Sequence, residues 1–216
     1  MAKARAGDGE LRIVRLTPSR MDDMGKVLRG TWGSACWCMF PRLNARLERA
    51  LPGPGSGGER RKRAMSALAG RRRAPGLMAY VGSEPAGWIA IAPRPELVRI
   101  DRSRVTVRVD DVPVWVIPCI TVRRQFRGRG VGLALIAAAV GHAAKHRAPA
   151  VEAYPRASGE RVHDDFAFVG TRPLFERAGF RRIGTALTTT GAARVTMRIA
   201  CTPTTSRPRR GRSAGA

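Results

Sequence analysis

Segments in which apolar residues alternate with polar ones, or run together between turn residues, predict the strands of a β-sheet. The alternation from Leu11 to Leu16 predicts the first strand. Two later segments are joined by Gly82-Ser83-Glu84-Pro85, a turn sequence that predicts a hairpin. In chain order, the predicted strands are residues 11–16, 77–81, 86–92, 114–122, 151–154, 181–187 and 194–199.

Three other segments predict helices between these strands. Thr17-Pro18-Ser19 followed by Asp22 is typical of a helix start, because a hydroxyl can accept from free N–H groups and acids favour the first turn. Residues 59–68 predict a second helix, after a loop rich in glycine and proline. Residues 130–146 are apolar on nearly every side, which predicts a helix buried against a sheet face.

The last of these helices follows a glycine-rich segment, Arg127-Gly128-Arg129-Gly130-Val131-Gly132, which comes directly after the strand at 114–122. Glycines allow the backbone to pass close to a ligand, so that successive N–H groups can converge on one anion. The positive end of the helix dipole points at the same place. The two arginines add charge that suits phosphate oxygens. The segment therefore predicts a phosphate-binding loop.

Spacing separates the ligand classes that use such loops. A P-loop needs a lysine followed by Ser or Thr after its last glycine, whereas Leu133-Ala134 follow Gly132 here. A dinucleotide fingerprint needs GxGxxG, and Leu133 stands at the third glycine position. Glu152 lies about twenty residues further on, as a ribose-binding acid would. Fewer than seventy residues then remain, too few for the repeated units of a Rossmann sheet.

A third class of phosphate-binding loop has the spacing found here. Arg127-x-x-Gly130-x-Gly132 after a strand resembles the Q/R-x-x-G-x-G/A signature of the GCN5-related N-acetyltransferases (GNAT family), and residues 174–180 (LFERAGF) resemble a second motif of that family. The CWCM sequence at residues 36–39 is similar to a little-characterised bacterial branch. The resemblance implies an α/β fold with a mixed, mostly antiparallel central sheet, a splayed parallel strand pair and flanking helices.

The resemblance also implies a site for acetyl-CoA as co-substrate. Its implied binding residues, on the strand end and the loop, are Ile120, Thr121, Val122, Arg127, Gly128, Arg129, Gly130, Val131 and Gly132. In the family the segment between the first two helices lines the acceptor pocket, where Trp37, Cys38, Met39 and Phe40, together with Trp32, would form an aromatic and sulfur-rich wall. The alternative is that this cluster is part of the core, the more common fate of aromatic residues.

The catalytic groups depart from the family's pattern. The tyrosine that usually protonates the leaving thiolate matches Phe175, and the glutamate that some relatives carry on the central strand matches Val116. Glu152 and Tyr154 lie on one face of the next strand, beside the expected cleft, and are our candidate base and acid. The alternative for Glu152 is an ion pair with a nearby arginine. Asp110 and Asp111, which precede Pro113, are better explained by a turn.

Charge and composition indicate possible binding partners but do not change the predicted fold. The formal net charge of +24 comes nearly all from arginine and would attract polyanions without sequence preference. Four cysteines without a framework of paired spacings, and three scattered histidines, predict reduced thiols and no metal site. The first ten residues lack the apolar core of a secretory signal, and helix 130–146 is too short to span a membrane, so we expect a cytoplasmic protein.

These patterns predict a disordered N-terminus at residues 1–9, an N-acetyltransferase domain at 10–201 and a disordered basic tail at 202–216. The predicted activity is acetyl transfer from acetyl-CoA to a primary amine of a small molecule or peptide. Two other classes stay open: an acyl-CoA-binding module without turnover, and a basic protein associated with nucleic acid.

Overall fold

Seven β-strands of the described chain form one sheet. The computed structural model describes residues 9–31, 33–157, 168–186 and 194–201. The strands are Leu11–Arg15 (β1), Gly76–Val81 (β2), Glu84–Pro93 (β3), Trp115–Val122 (β4), Ala150–Ala153 (β5), Arg181–Ala186 (β6) and Arg194–Ala200 (β7). All seven predicted strands are confirmed, with ends within two residues of those expected from the sequence. Leu187, the predicted end of the sixth, lies outside the described residues, as do residues 1–8 and 202–216 of the predicted disordered ends.

The strands lie side by side in the order β1-β2-β3-β4-β5-β7-β6. All neighbouring pairs are antiparallel except β4 and β5, which are parallel. β5 pairs with only the first three residues of β4, ending at Ile117 opposite Ala153. From Pro118 onward β4 pairs with β3 alone among the described strands, so a gap opens between the two parallel strands. The predicted mixed, mostly antiparallel sheet with a splayed parallel pair is confirmed.

A β-bulge lies in β4 where the parallel pair parts. Val116 pairs with Ala92 and Cys119 with Ala90, so two residues of β4 stand opposite one residue of β3. An extra residue reverses the alternation of side chains beyond it. As a result Cys119 packs in the same cluster as Trp88, while its neighbour Ile120 packs on the other face of the sheet.

Helices cover both faces of the sheet. They span Met21–Leu28 (α1), Gly33–Cys36 (α2), Ala45–Arg49 (α3), Gly57–Ala69 (α4), Val98–Asp101 (α5), Val131–Lys145 (α6) and Arg172–Arg177 (α7). The three predicted helices correspond to α1, α4 and α6. A short 3₁₀ turn, Pro18–Arg20, occupies the start predicted for the first helix. Ser56 is the N-cap of α4 and forms a capping box with Glu59. The other four helices are too short to show a hydrophobic period.

The long helix α6 packs on one face of the sheet, and α1 and α4 pack on the other. Leu135, Ile136 and Ala139 of α6 are fully buried against β2, β3 and β4, which confirms the burial predicted for this helix. Met24 of α1 and Met65 of α4 are buried against the opposite face around Trp88. Among the described residues, no helix combines the length and the apolar character that crossing a membrane requires.

Candidate active site

A cavity of about 390 Å³ lies where β4 and β5 part. Its walls come from the end of β4, the glycine-rich loop, the first turn of α6, the helix α7 and the segment around α2. Distant parts of the sequence therefore meet here. Eight of the nine residues predicted to bind the cofactor line it: Ile120, Thr121, Val122, Arg127, Gly128, Gly130, Val131 and Gly132.

The glycine-rich loop delivers the N-terminal end of α6 to this cavity. Gly128 and Gly130 have φ of 74° and 79°, and a Cβ added at either would meet no atom within 4 Å. The first intrahelical bond runs from the N–H of Ala134 to the oxygen of Gly130. The N–H groups of Val131, Gly132 and Leu133 therefore precede the helical ladder and have no partner within the helix. Such an end attracts anions.

The edge of β4 that faces the gap supplies main-chain groups to the same cavity. Beyond Ile117 the strand pairs, within the described part of the chain, with β3 on one edge only. Every second N–H and C=O then points toward the gap. One of these groups is occupied, because Arg127 Nε donates to the oxygen of Val122 at 3.0 Å. That hydrogen bond fixes the position of the glycine-rich loop relative to the end of β4.

Arg129 is the one predicted cofactor residue that does not line the cavity. Its guanidinium lies over the ring of Phe126, 5.9 Å from the ring centroid, and Arg123 lies over the same ring at 5.6 Å. Phe126 is buried and itself lines the cavity. Arg129 therefore supports one of the cavity walls. The sequence alone did not distinguish it from Arg127.

The predicted acceptor segment divides between cavity and core. Cys38 and Phe40 line the cavity, whereas Met39 is buried in the cluster beneath α1. The ring of Trp37 packs beside that cluster, with Lys62 Nζ 5.3 Å from its centroid. Trp32 lies outside the described residues. The assignment of this segment to an acceptor pocket stays a prediction. Two of its four residues, Cys38 and Phe40, line the cavity.

Glu152 and Tyr154 lie away from the cavity lining, in a buried network of charges. Arg198 donates to Glu152 Oε1 from Nε at 3.0 Å and from Nη2 at 2.6 Å. Tyr154 Oη donates to Glu152 Oε2 at 2.5 Å, and Arg94 donates in turn to Tyr154. Arg198 also holds Asp110. The ion pair considered as the alternative for Glu152 is present, while the catalytic roles of Glu152 and Tyr154 stay predictions.

The network also fixes the protonation of Tyr154. Burial, and then the negative charge of Glu152 and the hydrogen bond to it, raise the pKa of the Tyr154 hydroxyl far above its ordinary value. The hydroxyl therefore keeps its proton at every physiological pH. Because that proton is already donated to Glu152, Tyr154 would have to break this bond to protonate a leaving group.

Phe175 in α7 occupies the core behind the cavity. Its ring is fully buried and packs edge to face on Phe180 at 5.1 Å. Gly170, which lines the cavity, lies so close that an added Cβ would come 2.7 Å from the Phe175 ring. The glycine is therefore required by the position of the ring, and its φ of 74° agrees with that requirement.

Sequence reasoning missed thirteen lining residues, several of them next to predicted ones. They are Thr31, Gly33, Cys36, Pro41, Pro118, Cys119, Phe126, Leu133, Phe168, Gly170, Thr171, Leu174 and Arg177. Leu174 belongs to the second family motif, which was the available signal for α7. Cys119 and residues 168–171 gave no signal, since only the fold brings them to the glycine-rich loop.

The charged groups and thiols of the cavity wall set its chemistry. Arg127 and Arg177 line it, and the described lining residues include no carboxylate. Burial raises the pKa of the Cys36 thiol to about 11, so this group is neutral at physiological pH. Within the described ranges, no three His, Cys, Asp or Glu side chains come together in a way that could hold a metal ion. The site thus suits an anionic ligand with an apolar portion.

The parted parallel strands and the glycine-rich loop, brought together at one cavity, are the features that the family resemblance led us to expect. Residues 43–180 match the model of the Acetyltransferase (GNAT) family, which is more than half of the chain. The protein belongs to the GNAT family. No curated protein sequence matches the chain significantly.

Solved structures agree on the fold. One described as an acetyltransferase has a TM-score of 0.56 at 16% identity and covers 88% of this chain and 100% of its own. A GNAT-family acetyltransferase from Streptococcus pneumoniae has a TM-score of 0.53 at 16% identity, covering 89% and 100%. A mutant agmatine N-acetyltransferase has a TM-score of 0.54 at 10% identity, covering 88% and 99%. At these identities the likeness concerns the fold alone.

Proposed function

We propose that this protein is an N-acetyltransferase that moves the acetyl group of acetyl-CoA to a primary amine of a small molecule or a peptide. The observation that supports it most is the open N-terminal end of α6 at a cavity that also contains the parted edge of β4. One cavity thus offers an anion site and a row of main-chain donors and acceptors. Acetyl-CoA carries a pyrophosphate and an amide-containing arm, and its thioester supplies the activated acyl group.

Each wall would contribute a separate task. The N–H groups of Val131, Gly132 and Leu133, with Arg127, would hold the phosphates. The N–H groups of Ile120 and its neighbours along the gap would orient the arm and stabilise negative charge on the carbonyl oxygen. The apolar walls exclude water, which strengthens these bonds. Glu152 as base and Tyr154 as acid are the candidates from the sequence, but neither lines the cavity, so the proposal does not require them for proton transfer.

The decisive experiment combines the full chain with acetyl-CoA and a panel of primary amines. We expect release of the coenzyme A thiol together with an equal amount of acetylated amine, measured by a thiol reagent and mass spectrometry. Thiol release without acetylated product would indicate hydrolysis. Tight coenzyme A binding without turnover of any amine would support the acyl-CoA-binding module instead.

The rate should depend on pH through the acceptor. Only the neutral amine can attack, and the fraction of neutral amine rises about tenfold per pH unit below its pKa. Since no described carboxylate lines the cavity, we expect kcat/KM to rise with pH until the pKa of the amine is reached. A plateau that begins well below that pKa, at the same pH for different amines, would identify an enzyme base instead.

The assignment of residues 10–201 as the catalytic domain is also a proposal. Removal of residues 202–216 deletes four arginines, and we expect it to leave turnover of a small amine unchanged. Binding to duplex DNA should weaken and lose part of its salt dependence, because each phosphate contact contributes about 0.9 to the slope. A full-length variant with those arginines changed to glutamine is the matched control. Lost turnover in a folded truncated chain would place the domain boundary further along.

A further inference from the structure

Two buried thiols face each other inside the cavity. Cys38 Sγ and Cys119 Sγ lie 3.4 Å apart although 81 positions separate them in the sequence. Both side chains line the cavity and both are free thiols. The sulfurs of a disulfide are about 2 Å apart, so an approach of roughly 1.4 Å would join them. Neither the family motif nor the proposed transfer reaction assigns a role to this pair.

Two features of the fold bring the thiols together. The bulge in β4 turns Cys119 toward the face that carries α1 and α2. On the other side, Trp37 and Cys38 adopt φ of 49° and 52°, a left-handed conformation that side chains rarely take. These angles direct the chain back after α2, and Trp88 Nε1 donates to Cys38 Sγ at 3.0 Å. The Cys38 side chain is therefore held in place.

We propose that Cys38 and Cys119 are a modification site, at which a hydroperoxide that enters the cavity converts the two thiols into a reversible disulfide. One thiolate attacks the peroxide oxygen, the O–O bond breaks, and a sulfenic acid forms while the rest of the peroxide leaves as an alcohol or water. The second thiol then displaces water as the S–S bond forms. Together the two thiols lose two protons and two electrons, and these reduce the peroxide to water and an alcohol, or to two waters. A small thiol reverses the reaction by exchange.

The environment sets the conditions for this chemistry. The hydrogen bond with Cys119, followed by burial, raises the pKa of Cys38 well above its usual value. The groups that face Cys38 are the thiols of Cys36 and Cys119, the indole of Trp88 and the guanidinium of Arg42. Since the thiolate is the nucleophile, oxidation should accelerate by up to about tenfold per pH unit between pH 7 and 9.

The disulfide would connect the segment after α2 to the central strand across the acceptor side of the cavity. A cross-link over 81 positions restricts the unfolded chain, so we expect the melting temperature of the oxidised protein to rise by about 5 °C or more. On the proposed function, acceptor turnover should fall, because the segment that carries Phe40 can no longer adjust. The covalent step itself is measured without any substrate, so its failure and that of the proposed function are distinguishable.

The test treats the full chain with hydrogen peroxide, blocks free thiols, digests with trypsin without reduction and identifies linked peptides by mass spectrometry. We expect peptide 30–42 joined to peptide 109–123, lighter by two hydrogens than the sum of the two, and released by dithiothreitol. Peptide 30–42 contains Cys36 as well as Cys38. The same linkage in Cys36→Ser assigns it to Cys38, and its absence is expected in Cys38→Ser and in Cys119→Ser.

Cys36→Ser is a matched control, since Cys36 lines the same cavity but its sulfur accepts from the N–H of Phe40 at 3.3 Å. Cys201→Ser controls for the half-buried thiol outside the cavity. The linkage is scored first in the parent chain, and circular dichroism shows whether Cys36→Ser is folded before its linkage is compared. Oxidation that yields only sulfinic or sulfonic acids at separate cysteines, or a linkage lost in Cys36→Ser, would overturn the proposal.

Discussion

Gly130→Asp is expected to lower the affinity for coenzyme A by about a hundredfold or more, the cost of placing like charges together in a binding site. A Cβ at this position points into open space with a φ of 79°, so the new carboxylate would enter the cavity. There it would stand at the first turn of α6, where the phosphates are proposed to bind. Isothermal titration calorimetry of the purified variant measures the change.

Gly130→Asn is the matched control, because asparagine has the size of aspartate without its charge. Both residues tolerate the left-handed conformation better than other side chains, so both variants should fold. We expect the asparagine variant to lose much less affinity than the aspartate variant. Unchanged affinity in a folded Gly130→Asp protein would show that the phosphates bind elsewhere. Equal losses in the two variants would attribute the effect to bulk alone.

Glu152→Ala is expected to destabilise the protein by about 3–5 kcal/mol, the usual cost of removing one partner from a buried ion pair. Glu152 is only 1% exposed, and its loss leaves the buried Tyr154 hydroxyl without its acceptor. It also removes one of the two carboxylates beside Arg94, which keeps Asp101 at 3.2 Å. Denaturant unfolding followed by circular dichroism gives the free energy of unfolding. The control is Glu176→Ala, which removes an exposed pair with Arg172 and should cost about 0.5 kcal/mol or less.

Activity of the same variants tests the catalytic prediction for this pair. Tyr154→Phe removes only the hydroxyl and leaves Arg94 beside Glu152, 3.6 Å from Oε2. Loss of a general acid would lower kcat by about a hundredfold or more with little change in KM. A network that is only structural would lower the stability and leave kcat per folded molecule intact, and the bonds of Tyr154 favour this result. If Glu152→Ala lowers the free energy of unfolding by less than about 1 kcal/mol, the claim that the buried network stabilises the protein is wrong.

The sheet could be predicted because its strands are either alternating or bounded by turns. β1 shows the alternation, and the hairpin of β2 and β3 turns at Gly82. The glycine-rich loop could be predicted for a different reason, since its function depends on backbone conformation that few residues other than glycine can adopt. Gly128 and Gly130 both have positive φ in the structure. Such features depend on residues close together in the sequence, so they can be predicted without knowing the tertiary contacts.

Features that depend on contacts between distant segments could not be predicted. The bulge in β4 depends on the register between β3 and β4, and no residue type in the sequence indicates its position. The partners of Glu152 lie 58 positions before it, at Arg94, and 46 after it, at Arg198. Among so many arginines the sequence offered no means of choosing these two. The direction of Arg129, toward Phe126 and away from the cavity, depends on the loop geometry in the same way.

The one-sided pairing of β4 beyond Ile117 has an evolutionary consequence. A ligand that binds along this edge is recognised by peptide groups, which every amino acid except proline supplies in the same form. Side chains at these positions are then released from the task of holding the donor and are free to diverge. Selection can use positions such as Cys119 and Thr121 to shape the acceptor side without losing the donor site. On the proposed function, one scaffold can therefore acquire new acceptors by substitution while its donor site stays intact.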